Sequence, residues 1–189
     1  MNLYPTQIQD MYLVLDWLNR SDYKTSPEKI GIFGSSSGGN LVEELAIKEG
    51  YPATAWSGLF DLEGFYNKHK NTIPKKMIIS DNIAISEIYQ DGANDEYYKW
   101  LIINFLGGDM SKLHDATSIN RVNENSGTML LINSIDELVP GEEILKLGEK
   151  LLKQNQEFQA LILKGNRHGE GYYEDVIDMT IDFFKKYLL

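Results

Sequence analysis

The chain has 189 residues, 42% of them apolar and 24% charged, which is the size and balance of one folded domain with a sizeable core and excludes a disordered polymer. Eighteen basic residues against 28 acidic ones leave a formal charge of −10, which repels nucleic acid and gains nothing at an anionic membrane surface. Cysteine is absent, which excludes disulfides and thiolate metal sites, and no run of about 18 apolar residues is present to span a bilayer.

Taken in order, Met1-Asn2-Leu3-Tyr4-Pro5 lacks the basic-then-apolar layout of a signal peptide, so the compartment stays open, with the cytoplasm ahead of secretion. Thr6 is placed to cap a helix ending near Asn19, in which Ile8, Met11, Tyr12, Leu15 and Leu18 recur at three and four residues and form one apolar stripe. Ser21 to Glu28 is polar, contains Pro27 and reads as a loop. Lys29 to Phe33 is the first predicted strand, and Ser37 to about Lys48 a helix burying Leu41, Val42, Leu45 and Ala46. Tyr51 to Trp56, bounded by Gly50 and Ser57-Gly58, is the second strand. Helix, strand, helix, strand is the alternation that builds a parallel sheet covered on both faces.

From 59 to 127 the pattern loosens. Asp61 to Tyr66 is a candidate short helix with Asp61 as its turn or cap residue, Lys68 to Lys76 is basic and polar, and Glu96 to Leu106 is helical up to Gly107-Gly108. The stretch is too long for a simple connection and is expected to be an insertion over the site, a lid or cap; the plainer alternative is a peripheral elaboration. Regularity returns with a third strand from Thr128 to Asn133. A helix opens at Pro140 or Gly141 with Ile144, Leu145, Leu147, Leu151 and Leu152 on one side, and Phe158 to Leu163 is the fourth strand. Glu174 to Leu189 closes the chain as a helix burying Val176, Ile177, Ile181, Phe184 and Leu188. The expected architecture is α/β, a three-layer αβα domain over 1–189 around a parallel sheet of about four strands, with the insertion at about 59–127.

The chemistry starts at Gly34-Ser35-Ser36-Ser37-Gly38, where a strand passes through a Gly-x-Ser-x-Gly pentad into a helix, the context of a nucleophile elbow. The middle serine, Ser36, sits on a cramped turn, and the residues two before and two after it are expected to be glycines because a Cβ at either would strike the neighbouring strand or helix. The helix begins at Ser37, whose N–H is a candidate oxyanion donor. A phosphate-binding loop is the competing reading, but no Lys-Ser/Thr follows and the spacing is not Gly-x-Gly-x-x-Gly. In a parallel αβα sheet ligands bind beyond the carboxyl ends of the strands. Asp136 lies just after the third strand and His168 just after the fourth, so Ser, Asp and His fall at one rim: His168 to take the serine proton and Asp136 to orient the imidazole. Glu137 is the fallback acid, one residue of boundary error away. His69 and His114 lie in the irregular stretch and are poorer candidates.

Gly34-Ser35-Ser36-Ser37-Gly38-Gly39-Asn40-Leu41 resembles the elbow of α/β-hydrolases, particularly their esterase and lipase branches. Asp136-Glu137-Leu138-Val139-Pro140 is similar to their acid loop and His168-Gly169 to their histidine loop; Ser57 to Leu62 and Phe105-Leu106-Gly107-Gly108 are similar to weaker segments beside the lid. The resemblance runs from about Gln7 to the end. It implies Ser36 as nucleophile, Asp136 as acid and His168 as base, hydrolysing a small-molecule carboxylic ester through an acyl-serine without metal or cofactor. A peptidase or amidase on the same fold is the neighbouring alternative, and a non-catalytic remnant or binding module the more distant one. The family's earlier strands, and the His-Gly-Gly loop that supplies a second oxyanion donor, have no counterpart here, so the expectation is a chain truncated relative to the family. Its strand at 29–33 would then be an apolar edge that pairs with another chain, including a second copy.

Overall fold

Four parallel strands lie side by side in chain order in the computed structural model: β1 (Ile32–Ser35), β2 (Ala53–Trp56), β3 (Met129–Ser134) and β4 (Phe158–Leu163). The described residues are 3–23, 26, 29–77 and 92–189; the part of the expected insertion at 78–91 and four positions of the 21–28 loop lie outside them. The helices among them are α1 (Thr6–Arg20), α2 (Ser37–Glu49), α3 (Leu62–Lys68), α4 (Asp95–Phe105), α5 (Glu142–Lys153) and α6 (Tyr173–Leu188). None is long and apolar enough to cross a membrane.

The period-2 alternation of the strands sorts their side chains onto two faces. Ile32, Ala53, Ala55, Met129 and Leu131 pack under α1, α2 and α5, where they meet Ile8, Val42, Leu45, Ile144, Leu147 and Leu151. Trp56, Leu130 and Ile132 pack on the other face against Val176 and Phe183 of α6 and the preceding Tyr172. That is the three-layer arrangement, with the sheet between two helical layers. A third cluster, above the strand ends, joins α3 and α4 through Leu62, Phe65, Tyr98, Ile102 and Leu106 with Leu138 and Val139.

Strand pairing moves several expected boundaries. Lys29 N–H closes a turn onto the Ser26 carbonyl, and pairing begins only where Ile32 N–H meets the Pro52 carbonyl, so β1 starts at Ile32 and runs on to Ser35. β2 starts at Ala53, whose N–H reaches the Thr128 carbonyl, and β3 extends to Ser134. β1 is an end strand of the sheet, and Phe33 on it is 48% exposed even though its ring packs edge-on against Trp56.

Other expectations need correcting at the level of side chains. Thr6 is the first helical residue and caps nothing; Pro5 holds the cap position without a side-chain bond. On α5 the buried stripe is Ile144, Leu147 and Leu151, while Leu145 and Leu152 stand 58% and 66% exposed, because each follows a stripe residue by one step of about 100°. On α6 the stripe is Val176, Thr180 and Phe183, with Ile181 turned outward. Asp61 is a cap, accepting from the Gly64 N–H at the start of α3.

Candidate functional site

The elbow places Ser36 at φ 54° and ψ −120°, a backbone that residues with a Cβ rarely adopt, with its N–H fixed to the Trp56 carbonyl at 2.8 Å. Gly34 is needed there: a Cβ on it would lie 2.2 Å from the Gly38 carbonyl oxygen. The expected requirement at Gly38 is not met in the structure, since a Cβ there would touch nothing within 4 Å. The constraint falls one residue later, on Gly39, whose Cβ would come 2.9 Å from the Trp56 carbonyl because this helical position, and not Gly38, faces β2. Ser37 opens α2, so its N–H has no carbonyl one turn back to bond.

Past the sheet the strand exits are stitched sideways. Ser36 N–H bonds Trp56 O, Ser57 N–H bonds Ile132 O at 2.8 Å, and Ile135 N–H bonds Leu163 O at 2.9 Å. This staggering sets the residues that follow β1, β2, β3 and β4 along one rim. His168 is 1% exposed there, and its Nδ1 lies 2.5 Å from Glu137 Oε2. Asp136, expected as the acid, is exposed and turned away: its N–H bonds Gly165 O and its carbonyl accepts from Gly92 N–H. Glu137, 1% exposed, takes the place beside the histidine. The physical reason is the extra residue of β3, which shifts the turn by one and swaps the inward and outward side chains. With Nδ1 donating to the carboxylate, Nε2 is the nitrogen left to accept a proton.

Glu137 is held on its other oxygen as well. Oε1 accepts from Ser134 N–H at 2.9 Å and from Ser57 Oγ–H at 2.8 Å. The sequence marks Ser57 only as the end of β2 and the start of a weak family-like segment; the partners of its hydroxyl lie 80 to 115 residues further along. Around this group, burial raises the pKa of the Tyr172 and Tyr98 hydroxyls, and the Glu137 carboxylate adds to both shifts, so both stay protonated.

Ser36, Ser37, Ser57 and His168 share the wall of one cavity of about 510 Å³. Tyr97, Leu101 and Phe105, spaced one turn apart on α4, line it as well, together with the adjacent Tyr98. The loop beneath is pinned by Asn40, whose amide nitrogen donates to Leu59 O and whose Oδ1 accepts from Leu59 N–H, and by Glu143, which accepts from the N–H groups of Phe60 and Asp61. The chain on either side of Glu137 is tied to the start of α4: Gly92 N–H reaches Asp136 O at 2.6 Å and Asn94 N–H reaches Leu138 O at 3.2 Å. His69 and His114 lie away from this rim, beside Asp95 and Glu63 respectively.

A four-stranded parallel sheet between helical layers, with its polar residues gathered beyond the strand ends, is an α/β-hydrolase-like architecture. The chain belongs to the BD-FAE family, whose model matches residues 1–151. Among solved structures it is similar to a puromycin-hydrolyzing peptidase of Mycobacterium tuberculosis, at 16% identity and a TM-score of 0.72, covering 96% of this chain and 25% of that one. It is similar at 19% identity and a TM-score of 0.72 to a truncated carbohydrate esterase from gut microbiota, covering 98% of this chain and 70% of that one. Among curated proteins it is 40% identical over 47 residues to arylacetamide deacetylase of Oryctolagus cuniculus, which is 23% of this chain and 12% of that protein. The chain thus spans only a small part of the curated relative and about a quarter of the peptidase. The fold is that of hydrolases, with esterases and peptidases among its neighbours.

Proposed function

We propose that this chain is a serine hydrolase of carboxylic esters in which Ser36 is the nucleophile, His168 the base, Glu137 the acid and the Ser37 N–H an oxyanion donor. The observation that carries the reading is the buried contact between Glu137 and His168 Nδ1 on the wall of the cavity that also holds Ser36. In this mechanism His168 Nε2 accepts the Ser36 hydroxyl proton as Oγ attacks the ester carbonyl. Glu137 stabilises the imidazolium, and the Ser37 N–H stabilises the negative oxygen of the tetrahedral intermediate. Collapse expels the alcohol, which takes the proton from His168, and leaves an acyl-Ser36. A water molecule activated by the same imidazole then releases the acid and restores the hydroxyl. The helix α4 and its connections act as the cover over the cavity, and Tyr97, Tyr98 and Phe105 form the apolar wall against which the substrate packs.

Among the described residues β1 is an end strand, and a segment docked along that edge, including one from a second copy of the chain, would be placed to add a second oxyanion donor, worth about 10²–10³ in turnover. The test is a fluorophosphonate label read by mass spectrometry, followed by turnover of a p-nitrophenyl ester against the matching anilide. The label is expected on Ser36, to be lost in Ser36→Ala, with the ester cleaved faster than the anilide. A folded wild-type chain that takes no label at Ser36 sinks the nucleophile assignment, and faster anilide cleavage replaces esterase by amidase.

A further inference from the structure

We infer that Ser57 is a positioning residue that fixes the Glu137 carboxylate, and through it the ring of His168, by a hydroxyl whose every hydrogen-bonding capacity is used. The inference rests on the serine-hydrolase reading for its effect on turnover, though not for its effect on the histidine itself. A serine hydroxyl has one proton to give and two lone pairs to fill. Three partners surround Ser57 Oγ: Glu137 Oε1 at 2.8 Å, Tyr172 Oη at 2.7 Å and the Gly169 N–H at 3.0 Å. The carboxylate and the amide fix the assignment. The carboxylate has no proton to offer, so the Ser57 proton goes to Glu137; the Gly169 N–H can only donate; and the remaining lone pair takes the Tyr172 proton. The alternative acceptor for Tyr172, the Ile132 carbonyl at 3.1 Å, is farther away and already accepts the Ser57 N–H.

The backbone gives a second, independent argument. Ser57 sits at φ 50°, in the left-handed region that favours glycine and strains a residue with a Cβ. Glycine would suit the backbone better, so the side chain must be doing what glycine cannot. What it does is join three elements: the exit of β2, the acid loop, and the residue that follows His168. The group is 1% exposed and shut off from bulk water, so any solvent replacement would need an ordered site.

Ser57→Gly separates the two roles, because it removes the hydroxyl and relieves the backbone at once. Two readouts are taken: kcat and KM for ester hydrolysis, and the proton NMR signal of the His168 Nδ1–H in a Ser36→Ala background, assigned by removing His69 and His114. We expect kcat to fall about 10–100-fold with KM within about twofold, as for a misplaced group distant from binding. The Nδ1–H signal should move from its wild-type position and exchange faster with water. Tyr172→Phe, which keeps the hydroxyl but strips one of its partners, should move the same signal in the same direction by less, and stands as the test should Ser57→Gly not fold. A folded variant with kcat within twofold of wild type and an unmoved Nδ1–H signal overturns the inference. The signal does not depend on turnover, so a chain that escapes labelling at Ser36 yet shows the shift in Ser57→Gly loses the nucleophile and keeps the positioning residue.

Discussion

At the rim, Glu137 has three donors arranged around its two oxygens: His168 on one, and Ser57 and the Ser134 N–H on the other. In α2, Glu43 is equally sealed from solvent but has one donor, the Ser118 hydroxyl, on Oε2, and no partner among the described residues on Oε1. An ionised carboxylate only accepts, so a site suited to it brings donors to both oxygens, and the rim has them on both. Burial instead pushes the Glu43 carboxyl well above its usual range, and the Ser118 bond and the Arg121 charge offset this only in part. One carboxyl has donors on both oxygens that fix its direction, while the other has a donor on one oxygen only and its pKa is pushed upward. The lesson is that two equally buried acids can sit in different surroundings, set by the number of donors aimed at each.

The strongest way to break this contrast is Glu137→Gln, which keeps the volume and removes the charge. We expect kcat for ester hydrolysis to fall by about 10²–10⁴ with the fold intact by circular dichroism; activity within tenfold of wild type would mean that the carboxylate does not serve the imidazole. A smaller effect comes from Glu43→Gln and is read in stability against pH. Between about pH 4.3, where an unfolded glutamate titrates, and the raised pKa of Glu43, the folded chain binds more protons than the unfolded one. Wild-type stability therefore falls as pH rises through that window, by at most about 1.4 kcal/mol per pH unit, and does not recover above it. Glutamine cannot ionise, so urea denaturation should find the two proteins alike near pH 4 and the variant more stable at pH 7, with its kcat unchanged. Parallel curves from pH 4 to 8 would show Glu43 to be no neutral acid. The least effect is expected from Asp136→Asn: turned to solvent, it should leave kcat within about threefold, and a large loss would return the acid role to the residue the sequence favours.

How much of this was legible follows from how local each signal is. Ser36 and Ser37 stand in a contiguous pentad whose turn is dictated by residues within four positions, and the parallel sheet follows from alternating helix and strand patterns that need no distant partner to be read. Which carboxylate lies beside His168 is not legible in the sequence, because Asp136 and Glu137 are adjacent and chemically equivalent there. Only the pairing of β3 through Ser134 decides which of them points inward. The α6 stripe slipped for a related reason: Ile177 and Ile181 are as apolar as Val176 and Phe183, and Thr180 hid the true face. The close contact expected at Gly38 belongs to Gly39, since a run of two glycines does not say which of them meets the strand. The contacts of Ser57 were beyond reach, although its segment was recognised, because its three hydroxyl partners are brought to it only by the tertiary fold.

The bonds from Gly92 and Asn94 to the carbonyls flanking Glu137 make the helix over the cavity and the acid beside the histidine parts of one mechanical linkage. A guest too large for the space would have to displace α4, and those bonds would carry the displacement to the loop that aims the carboxylate, whereas one that fits would leave that aim untouched. Discrimination by size would then register as a slower chemical step and not as weaker adhesion, so an oversized ester could saturate the protein and still be turned over poorly.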